Sequence, residues 1–259
     1  MNISVNIPSY RRPVVETLRI FPFCKVWVCE TEADDYRAAN RGAEIVACQK
    51  GIQGNLCRIR NHILDTEFAA GADAVIILDD DFQGIARFDV NRKSGFGYER
   101  TQIGADDFFP FAEKYSRLCG EWGFKMWGLN VNSDSMAYRH YSPFSTRSYI
   151  GGPFQAFLKN PLRYDERLPL KEDYDMTLQH CNKYRGALRL NAYHYNVRQS
   201  ENKGGCATMR NYLKEKEQFE LLAKKWGRRI VREDRQNMGK KQKRQLDYNP
   251  IINIPIRGI

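Results

Sequence analysis

Short apolar runs alternate with helical patterns along the first half of the chain. Four runs rich in β-branched residues predict strands, at residues 3–7, 25–29, 44–47 and 74–78. Between the third and fourth runs, Leu56, Ile59 and Ile63 recur at helical spacing, which predicts a helix over residues 55–68. The fourth run is apolar throughout, as expected for a central parallel strand that helices cover on both faces. This alternation of strand and helix favours the α/β class.

The pattern is less regular beyond Gly84. Residues 89–105 are polar and contain glycine, which predicts an irregular or hairpin segment. Helical and extended patterns then alternate; helices are expected at residues 107–119, 170–181 and 211–226, and strands at residues 127–131, 153–159 and 187–190. Because the sequence contains no internal repeat, we expect a main domain over residues 1–209 and an appendage over residues 210–259 that packs on it.

The net charge of +10 is concentrated towards the C-terminus. A content of 42% hydrophobic and 28% charged residues is ordinary for a soluble globular protein. Residues 214–244, however, hold 12 Lys and Arg against 5 Asp and Glu. Such a segment suits a polyanion, of which nucleic acid is the commonest. The alternative is a solvated amphipathic helix with a basic face.

Cysteine usage and the length of apolar runs indicate the cellular setting. The seven cysteines include no Cys-x-x-Cys pair, so neither a disulfide framework nor a structural zinc site is indicated. No run reaches the roughly 18 apolar residues of a membrane-spanning helix, and the first residues lack the pattern of a signal peptide. We therefore expect a cytoplasmic protein with no membrane partner, and the sequence does not indicate its oligomeric state.

Three adjacent aspartates, Asp79, Asp80 and Asp81, directly follow the fourth predicted strand. Adjacent carboxylates repel one another unless a cation is present, and open α/β sheets bind ligands at the carboxyl ends of their strands. A hard divalent ion, Mg²⁺ or Mn²⁺, shared with diphosphate oxygens would satisfy both conditions. The alternative is an acidic loop that caps a helix. A P-loop ATPase is disfavoured because no Gly-x-x-x-x-Gly-Lys-Ser/Thr motif accompanies the aspartates.

Four segments within residues 7–81 together carry a family resemblance. Residues 7–13, Ile-Pro-Ser-Tyr-Arg-Arg-Pro, resemble the first strand and the nucleotide-contacting loop of GT-A glycosyltransferases, and Glu30 stands where that family commonly has an acid near the base. Residues 54–61 resemble the family's glycine-to-Arg-Asn helix beside the donor, and Asp79 and Asp81 match its Asp-x-Asp motif. The resemblance implies an α/β, Rossmann-like GT-A fold: a mixed central sheet flanked by helices, here with a basic helical C-terminal appendage.

The resemblance also implies how the donor is held. The metal ligands would be Asp79 and Asp81, joined by the late histidine His194, which could instead be a packed, hydrogen-bonded residue. Lys203, followed by two glycines, would close over the diphosphate, or it lies in an ordinary flexible loop. The full set implied for donor binding is Pro8, Ser9, Tyr10, Arg11, Arg12, Glu30, Arg58, Asn61, Asp79, Asp80 and Lys203.

Two downstream segments resemble the acceptor half of the family's site. Gly151 and Gly152 resemble its glycine-containing acceptor loop, where the backbone must approach the sugar closely; the alternative is a simple turn before a strand. Glu172 and Asp173 resemble the Glu-Asp motif of inverting members, whose Asp is the general base. Displacement at the anomeric carbon requires a group that removes the acceptor proton. Acids also favour a helix N-terminus for electrostatic reasons alone.

The implied reaction is transfer of a sugar from a UDP-sugar, with UDP-glucose the expected donor. Size, charge and donor motifs together resemble the DNA-base glycosyltransferases associated with TET/JBP oxygenases in phages and kinetoplastids. That implies a hydroxymethylated pyrimidine in DNA as acceptor, modified in the host cytoplasm if a phage encodes the protein, with Arg228, Arg229 and Arg232 among the DNA contacts. Three alternatives are a glycosyltransferase for a glycan or protein, a nucleotidyltransferase, and a non-catalytic nucleic-acid-binding protein. The nucleotidyltransferase is disfavoured because residues 7–13 contain no glycine.

Overall fold

The computed structural model describes residues 1–90, 98–197, 211–234 and 248–255. Within these residues the strands are β1 Ile3–Pro8, β2 Lys25–Cys29, β3 Glu44–Cys48, β4 Ala74–Leu78, β5 Phe82–Val90, β6 Tyr98–Ile103, β7 Met126–Asn130, β8 Phe144–Ser145, β9 Phe154–Leu158, β10 Leu188–Val197, β11 Val231–Glu233 and β12 Pro250–Ile252. The α-helices are α1 Ala33–Ala39, α2 Leu56–Ala69, α3 Ala105–Glu121, α4 Glu172–Tyr184 and α5 Tyr212–Trp226.

One mixed sheet organises the molecule. Its strand order is β3-β2-β1-β4-β9-β7-β10-β5-β6, and β8 pairs with β10 beside this path. β1 runs parallel to β2 and β4, whereas β9 runs antiparallel to its neighbours β4 and β7. The α/β class with a mixed central sheet flanked by helices is therefore confirmed.

Helices cover both faces of this sheet, as the uniformly apolar β4 indicates. Ala74, Ile76 and Leu78 of β4 join the apolar cluster that contains α1 and α3. Val75 and Ile77 point to the other face and join the cluster that contains α2 and α4. Because successive side chains of a strand point to opposite faces, a strand buried on both sides must be apolar at every position.

The segment after the aspartates forms an antiparallel strand pair, which agrees with the hairpin alternative for residues 89–105, although its first strand begins earlier than expected. β5 begins at Phe82, directly after Asp81, and pairs with β6 in antiparallel fashion. Gly84 lies within β5 with a φ of 123°, a conformation that L side chains rarely adopt, and it interrupts the alternation that would have identified the strand. Another difference concerns His194: it lies within β10, paired with Ala86, and not after a strand that ends near residue 190.

The C-terminal segment packs on the outer side of α4. Phe219 and Leu222 of α5 share an apolar cluster with Leu168 and Leu178, and Val231 of the small β11–β12 sheet belongs to the same cluster. Among the helices in the described ranges, none is both long and apolar enough to cross a bilayer.

Candidate functional site

The loops after β1 and β4 meet at one edge of the sheet, because these two strands are parallel neighbours. Ser9 follows β1 directly, and the three aspartates follow β4. Thr17 links the loops: its Oγ1 donates to the backbone oxygen of Asp79 over 2.7 Å, and Phe82 N donates to the same Oγ1 over 2.9 Å. This is the carboxyl edge at which open α/β sheets bind ligands.

Asp80 is the buried member of the acidic triplet. Ser9 Oγ donates to its Oδ2 over 2.6 Å, and Arg12 Nη1 donates to its Oδ1 over 2.8 Å. Tyr36 Oη lies 2.9 Å from Ser9 Oγ and extends the network to α1. Burial raises the pKa of Asp80 more than Arg12 and Ser9 lower it. Asp80 therefore orders the loop after β1 and brings Ser9 and Arg12 to the sheet edge.

Asp81 faces a cavity beside this loop. The cavity has a volume of about 280 Å³ and is lined by Arg11, Arg12, Pro13, Val14, Glu16, Asp80 and Asp81. Arg12 Nη1 lies 3.7 Å from Asp81 Oδ2, a looser contact than the one that Arg12 makes with Asp80. Burial, followed by the charges of Asp79 and Asp80, raises the pKa of Asp81 to about 7. Its carboxylate therefore lies where a cation would be stabilised.

Arg60 joins the acidic triplet to α4. Its guanidinium is buried, and Nη2 donates to Asp79 Oδ1 over 2.8 Å and to the backbone oxygen of Gly152 over 3.1 Å. Nη1 donates to Glu172 Oε1 over 3.3 Å and to Gln155 Oε1 over 3.2 Å. Burial disfavours the charge of Arg60, but Tyr164, Asp79 and Glu172 outweigh it and raise the pKa of the guanidinium. One arginine thus contacts both candidate halves of the site.

Glu172 and Asp173 begin α4 and differ in environment. Glu172 is buried, and burial followed by the charge of Asp173 raises its pKa to about 8. Asp173 is half-buried and held by donors: Gly152 N donates to Oδ2 over 3.0 Å, Tyr149 Oη donates to the same oxygen in a short contact, and Tyr174 N donates to Oδ1 over 2.8 Å. Within the described residues, Oδ1 thus accepts one hydrogen bond and keeps room for another.

Gly151 and Gly152 lie where the backbone passes close to this pair. A Cβ on Gly151 would lie 2.2 Å from Tyr195 Oη and 3.0 Å from Val131 Cγ1, so no larger residue fits without displacement. A Cβ on Gly152 would lie 3.4 Å from Arg60, Glu172 and Asp173 alike. Gly151 therefore has no space for a side chain, whereas Gly152 lies in contact distance of Arg60, Glu172 and Asp173, at the centre of this cluster.

The other residues implied for donor binding are spread along the same edge. Pro8 ends β1 and is buried, Tyr10 is half-buried, and Arg11 stacks over the Tyr10 ring at 4.9 Å with a φ of 56°. Glu30 accepts a hydrogen bond from Lys50 N over 3.0 Å. These residues surround the loop after β1 without entering the Arg60 network.

Arg58 and Asn61 of α2 point away from that network. Arg58 is half-buried, pairs with Glu166 at 2.9 Å and donates to the oxygen of Gly51 over 2.6 Å. Asn61 bonds both backbone groups of Tyr164: its Nδ2 donates to the oxygen over 2.9 Å, and its Oδ1 accepts from the nitrogen over 2.7 Å. In this structure the two side chains hold neighbouring segments of the chain.

The candidate metal ligands do not form a preassembled cluster in the described residues. No three His, Cys, Asp or Glu side chains in this part of the chain converge on a common point. His194 is buried in the sheet with its ring 4.6 Å from that of Phe88, and burial lowers its pKa. Mg²⁺ and related ions often take one or two carboxylates and complete their shell with phosphate oxygens and water, and Asp79 and Asp81 fit that arrangement. Lys203 lies outside the described residues.

The basic side chains of the C-terminal segment that the structure describes differ in their surroundings. Arg229 and Arg232 are exposed, and Arg228 is exposed while paired with Glu220. Lys225 instead contacts Asp165 and Asp175 at 2.9 and 2.8 Å. Its charge is therefore neutralised within the fold.

Three residues of the cluster, Arg60, Tyr149 and Tyr195, were not identified as site residues from the sequence. Arg60 had a detectable signal: it lies three residues after Cys57 and three before Ile63 on the buried stripe of α2. An arginine on an apolar stripe needs buried partners. Tyr149 and Tyr195 had no such signal, because tyrosines are common in cores.

Comparison with solved structures finds distant similarity of fold. The chain is similar to residues 1–349 of TarS from S. aureus, at 13% identity and a TM-score of 0.46, over 75% of this chain and 59% of that one. It thus spans less than two thirds of the TarS chain. It is also similar to glucosyl-3-phosphoglycerate synthase from Mycobacterium tuberculosis in complex with Mn²⁺, UDP-glucose and phosphoglyceric acid, at 11% identity and a TM-score of 0.45, over 77% of this chain and 72% of that one. No family model and no curated protein sequence matches the chain.

Proposed function

We propose that the protein is a metal-dependent glycosyltransferase of the GT-A type that takes its sugar from a UDP-sugar. The observation that carries this proposal is the position of Arg60, which contacts Asp79 on one side and Glu172, next to Asp173, on the other. A transferase requires a donor diphosphate and an acceptor base within reach of the same anomeric carbon. The Arg60 network supports that arrangement at the carboxyl edge of the sheet.

The donor half comprises the acidic triplet and the loop after β1. Asp81, assisted by Asp79, would hold Mn²⁺ or Mg²⁺, and the ion would neutralise charge on the departing diphosphate. Arg11 and Arg12 line the cavity beside Asp81 and add positive charge there. We assign the nucleotide to Pro8, Ser9, Tyr10, Glu30 and this loop, with Lys203 as a further diphosphate contact and UDP-glucose as the donor.

The acceptor half comprises Asp173 and the Gly151–Gly152 turn. The acceptor hydroxyl oxygen attacks the anomeric carbon, the bond from that carbon to the diphosphate oxygen breaks, and Asp173 Oδ1 takes the hydroxyl proton. Tyr149 and Gly152 N hold the other carboxylate oxygen. A direct displacement of this kind inverts the anomeric configuration.

The donor half is tested by calorimetry with UDP and Mn²⁺. Asp81→Asn should lose most of the metal-dependent binding, and EDTA should have the same effect on the wild-type chain. Asp106→Asn, at an exposed position in the first turn of α3, is the matched control and should bind normally. Full binding by Asp81→Asn in EDTA, or turnover of GDP- or CMP-linked donors alone, would contradict the proposal.

The acceptor half is tested with Asp173→Ala. This variant should bind UDP normally but transfer no sugar, because Asp173 acts on the acceptor proton. NMR of the product reports the anomeric configuration, and retention would refute a single displacement with Asp173 as base.

For the acceptor we propose DNA that carries a hydroxymethylated pyrimidine. The supporting observation is the exposure of Arg229 and Arg232 in a segment that packs against α4, the helix that begins with Glu172 and Asp173. A hydroxymethyl group supplies the primary hydroxyl that the mechanism requires, and its base would have to leave the duplex stack. Labelled UDP-glucose offered with modified and unmodified DNA, with a glycan and with a protein distinguishes the acceptor classes.

A further inference from the structure

α5 packs against the start of α4. The apolar side of α5, with Phe219, Leu222 and Ala223, packs on Leu168 and Leu178, which lie before and within α4. Gln218 Nε2 adds a hydrogen bond to the backbone oxygen of Arg167 over 2.9 Å. These contacts fall on residues 167–178, the stretch that contains Glu172 and Asp173.

Lys171 and Glu215 form a buried ion pair at this interface. Lys171 precedes the first residue of α4, Glu215 lies in the first turn of α5, and each side chain is 1% exposed. The ammonium donates to Glu215 Oε2 in a short contact. Removing two charges from water is costly, and an apolar pair of similar size would often be equally stable. Stability alone therefore does not require this pair.

Asp175 forms a second buried contact with α5, three residues further along α4 than Glu172. Its carboxylate is fully buried and accepts from Trp226 Nε1 over 2.8 Å, from Lys225 Nζ over 2.9 Å and from Gln179 Nε2 over 2.7 Å. Trp226 is the last residue of α5, and Lys225 directly precedes it. Both ends of α5 thus anchor the first turn of α4.

We infer that α5 is a positioning element for the transfer reaction, and that Lys171, Glu215 and Trp226 fix the orientation of Glu172 and Asp173. The two residues that α5 contacts, Lys171 and Asp175, lie on either side of this acidic pair in sequence. They therefore fix both where the first turn of α4 begins and how it is rotated about the helix axis. A turn rotated by even a small angle would move Asp173 away from Gly152 N and Tyr149. This inference rests on the proposed role of Asp173 as base.

The test replaces the ion pair by apolar side chains of similar length, in the double variant Lys171→Met with Glu215→Met. We expect kcat for sugar transfer to fall at least tenfold, while the Kd for UDP with Mn²⁺ stays within twofold. Hydrogen exchange should accelerate in peptides that cover residues 168–178 and stay unchanged in peptides from α2. The control, Arg117→Met, removes an exposed ion pair of α3 and should leave all three readouts unchanged.

A folded double variant with kcat within twofold of wild type and unchanged exchange would overturn the inference. If the double variant does not fold, Trp226→Phe decides by the same readouts, because it removes the indole N–H that donates to Asp175 and keeps an aromatic ring against the apolar cluster; we expect kcat to fall about threefold or more. Asp173→Asn belongs in the same series. The proposed function fails if Asp173→Asn transfers sugar normally, or if the wild-type chain binds UDP and transfers to no acceptor. In either case, hydrogen exchange in the double variant still decides whether α5 orders the first turn of α4.

Discussion

Arg60 Nη2 donates to Asp79 Oδ1 over 2.8 Å, so an arginine from the second turn of α2 is bonded to the residue that directly follows the buried strand β4. The guanidinium is 1% exposed, and its other nitrogen reaches Glu172 at 3.3 Å. The donor and acceptor halves of the candidate site share one buried cation. A substitution in one half therefore changes the hydrogen bonds and the charge environment of the other. Stability and catalysis should therefore both depend on Arg60.

Arg60→Gln should lower the free energy of unfolding by about 3–5 kcal/mol, because it leaves Asp79 without its buried cation and Glu172 Oε1 without its hydrogen-bond donor. Arg58→Gln is the matched control on the same helix. Its ion pair with Glu166 is exposed, so the loss should be at most about 1 kcal/mol. Urea unfolding measures both values, and equal losses in the two variants would contradict the assignment of Arg60 as the buried link.

The two glycines before β9 should differ in their tolerance of alanine. Gly151→Ala would put a Cβ 2.2 Å from Tyr195 Oη, so we expect a loss of roughly 1–3 kcal/mol in stability, as for an overpacked core. Gly152→Ala meets its neighbours at 3.4 Å, an ordinary contact distance, and should fold like the wild type. Thermal unfolding compares the two variants, and the reverse order would show that this turn is wrongly described.

Regular elements were predictable because their signals are local. The helix expected over residues 55–68 is α2, and Asn55 caps it by accepting from Cys57 N and Arg58 N over 2.9 and 3.3 Å. The four strands of the first half likewise depend on runs of β-branched residues and lie where the pattern predicts them. In each case the residues that determine the element are neighbours in sequence.

The candidate site was only partly predictable because its contacts are non-local. The motif over residues 54–61 implied a role for Arg58 and Asn61, yet the arginine in the site network is Arg60, two residues further along the helix than Arg58. A helix turns by about 100° per residue, so a motif that gives the residue types does not decide which side chain faces the sheet. The partners of Arg60 lie 19 and 112 residues away, at Asp79 and Glu172, and no spacing in the sequence connects them.

Stability should depend on pH through Glu172. Folding raises the pKa of this group from 4.5 to about 8, so the folded state favours the protonated form. The contribution is therefore fully present below about pH 4.5 and is lost as the pH rises through about 8. We expect the free energy of unfolding of the wild type, relative to Glu172→Gln, to decline over this interval by at most about 1.4 kcal/mol per pH unit. Exposed Glu44→Gln is the control, and a difference that does not vary with pH would contradict the prediction.

If DNA is the acceptor, binding should fall steeply with salt, because each phosphate contact releases counterions. The expected slope is about 0.9 log unit of affinity per log unit of salt for each contact on duplex DNA. Replacing Arg229 and Arg232 by Ala should lower the slope by up to about 0.9 for each arginine and leave UDP affinity intact. Arg41→Ala, an exposed arginine in the turn before β3, is the control and should leave the slope unchanged. Lys225→Ala should instead reduce stability, because this lysine contacts the buried Asp175.

Contacts of this kind position the duplex without reading its sequence, so labelling should depend on the hydroxymethyl group and only weakly on flanking bases. The decisive experiment offers labelled UDP-glucose with hydroxymethylcytosine DNA, hydroxymethyluracil DNA and unmodified DNA. We expect label on one or both of the modified DNAs. At moderate salt, the Arg229 and Arg232 substitutions should reduce this labelling. Label on a glycan or protein and on none of the DNAs would show that the acceptor is wrong. The glycosyltransferase proposal would stand in that case, because it depends on Asp81, Arg60 and Asp173 and not on the basic surface.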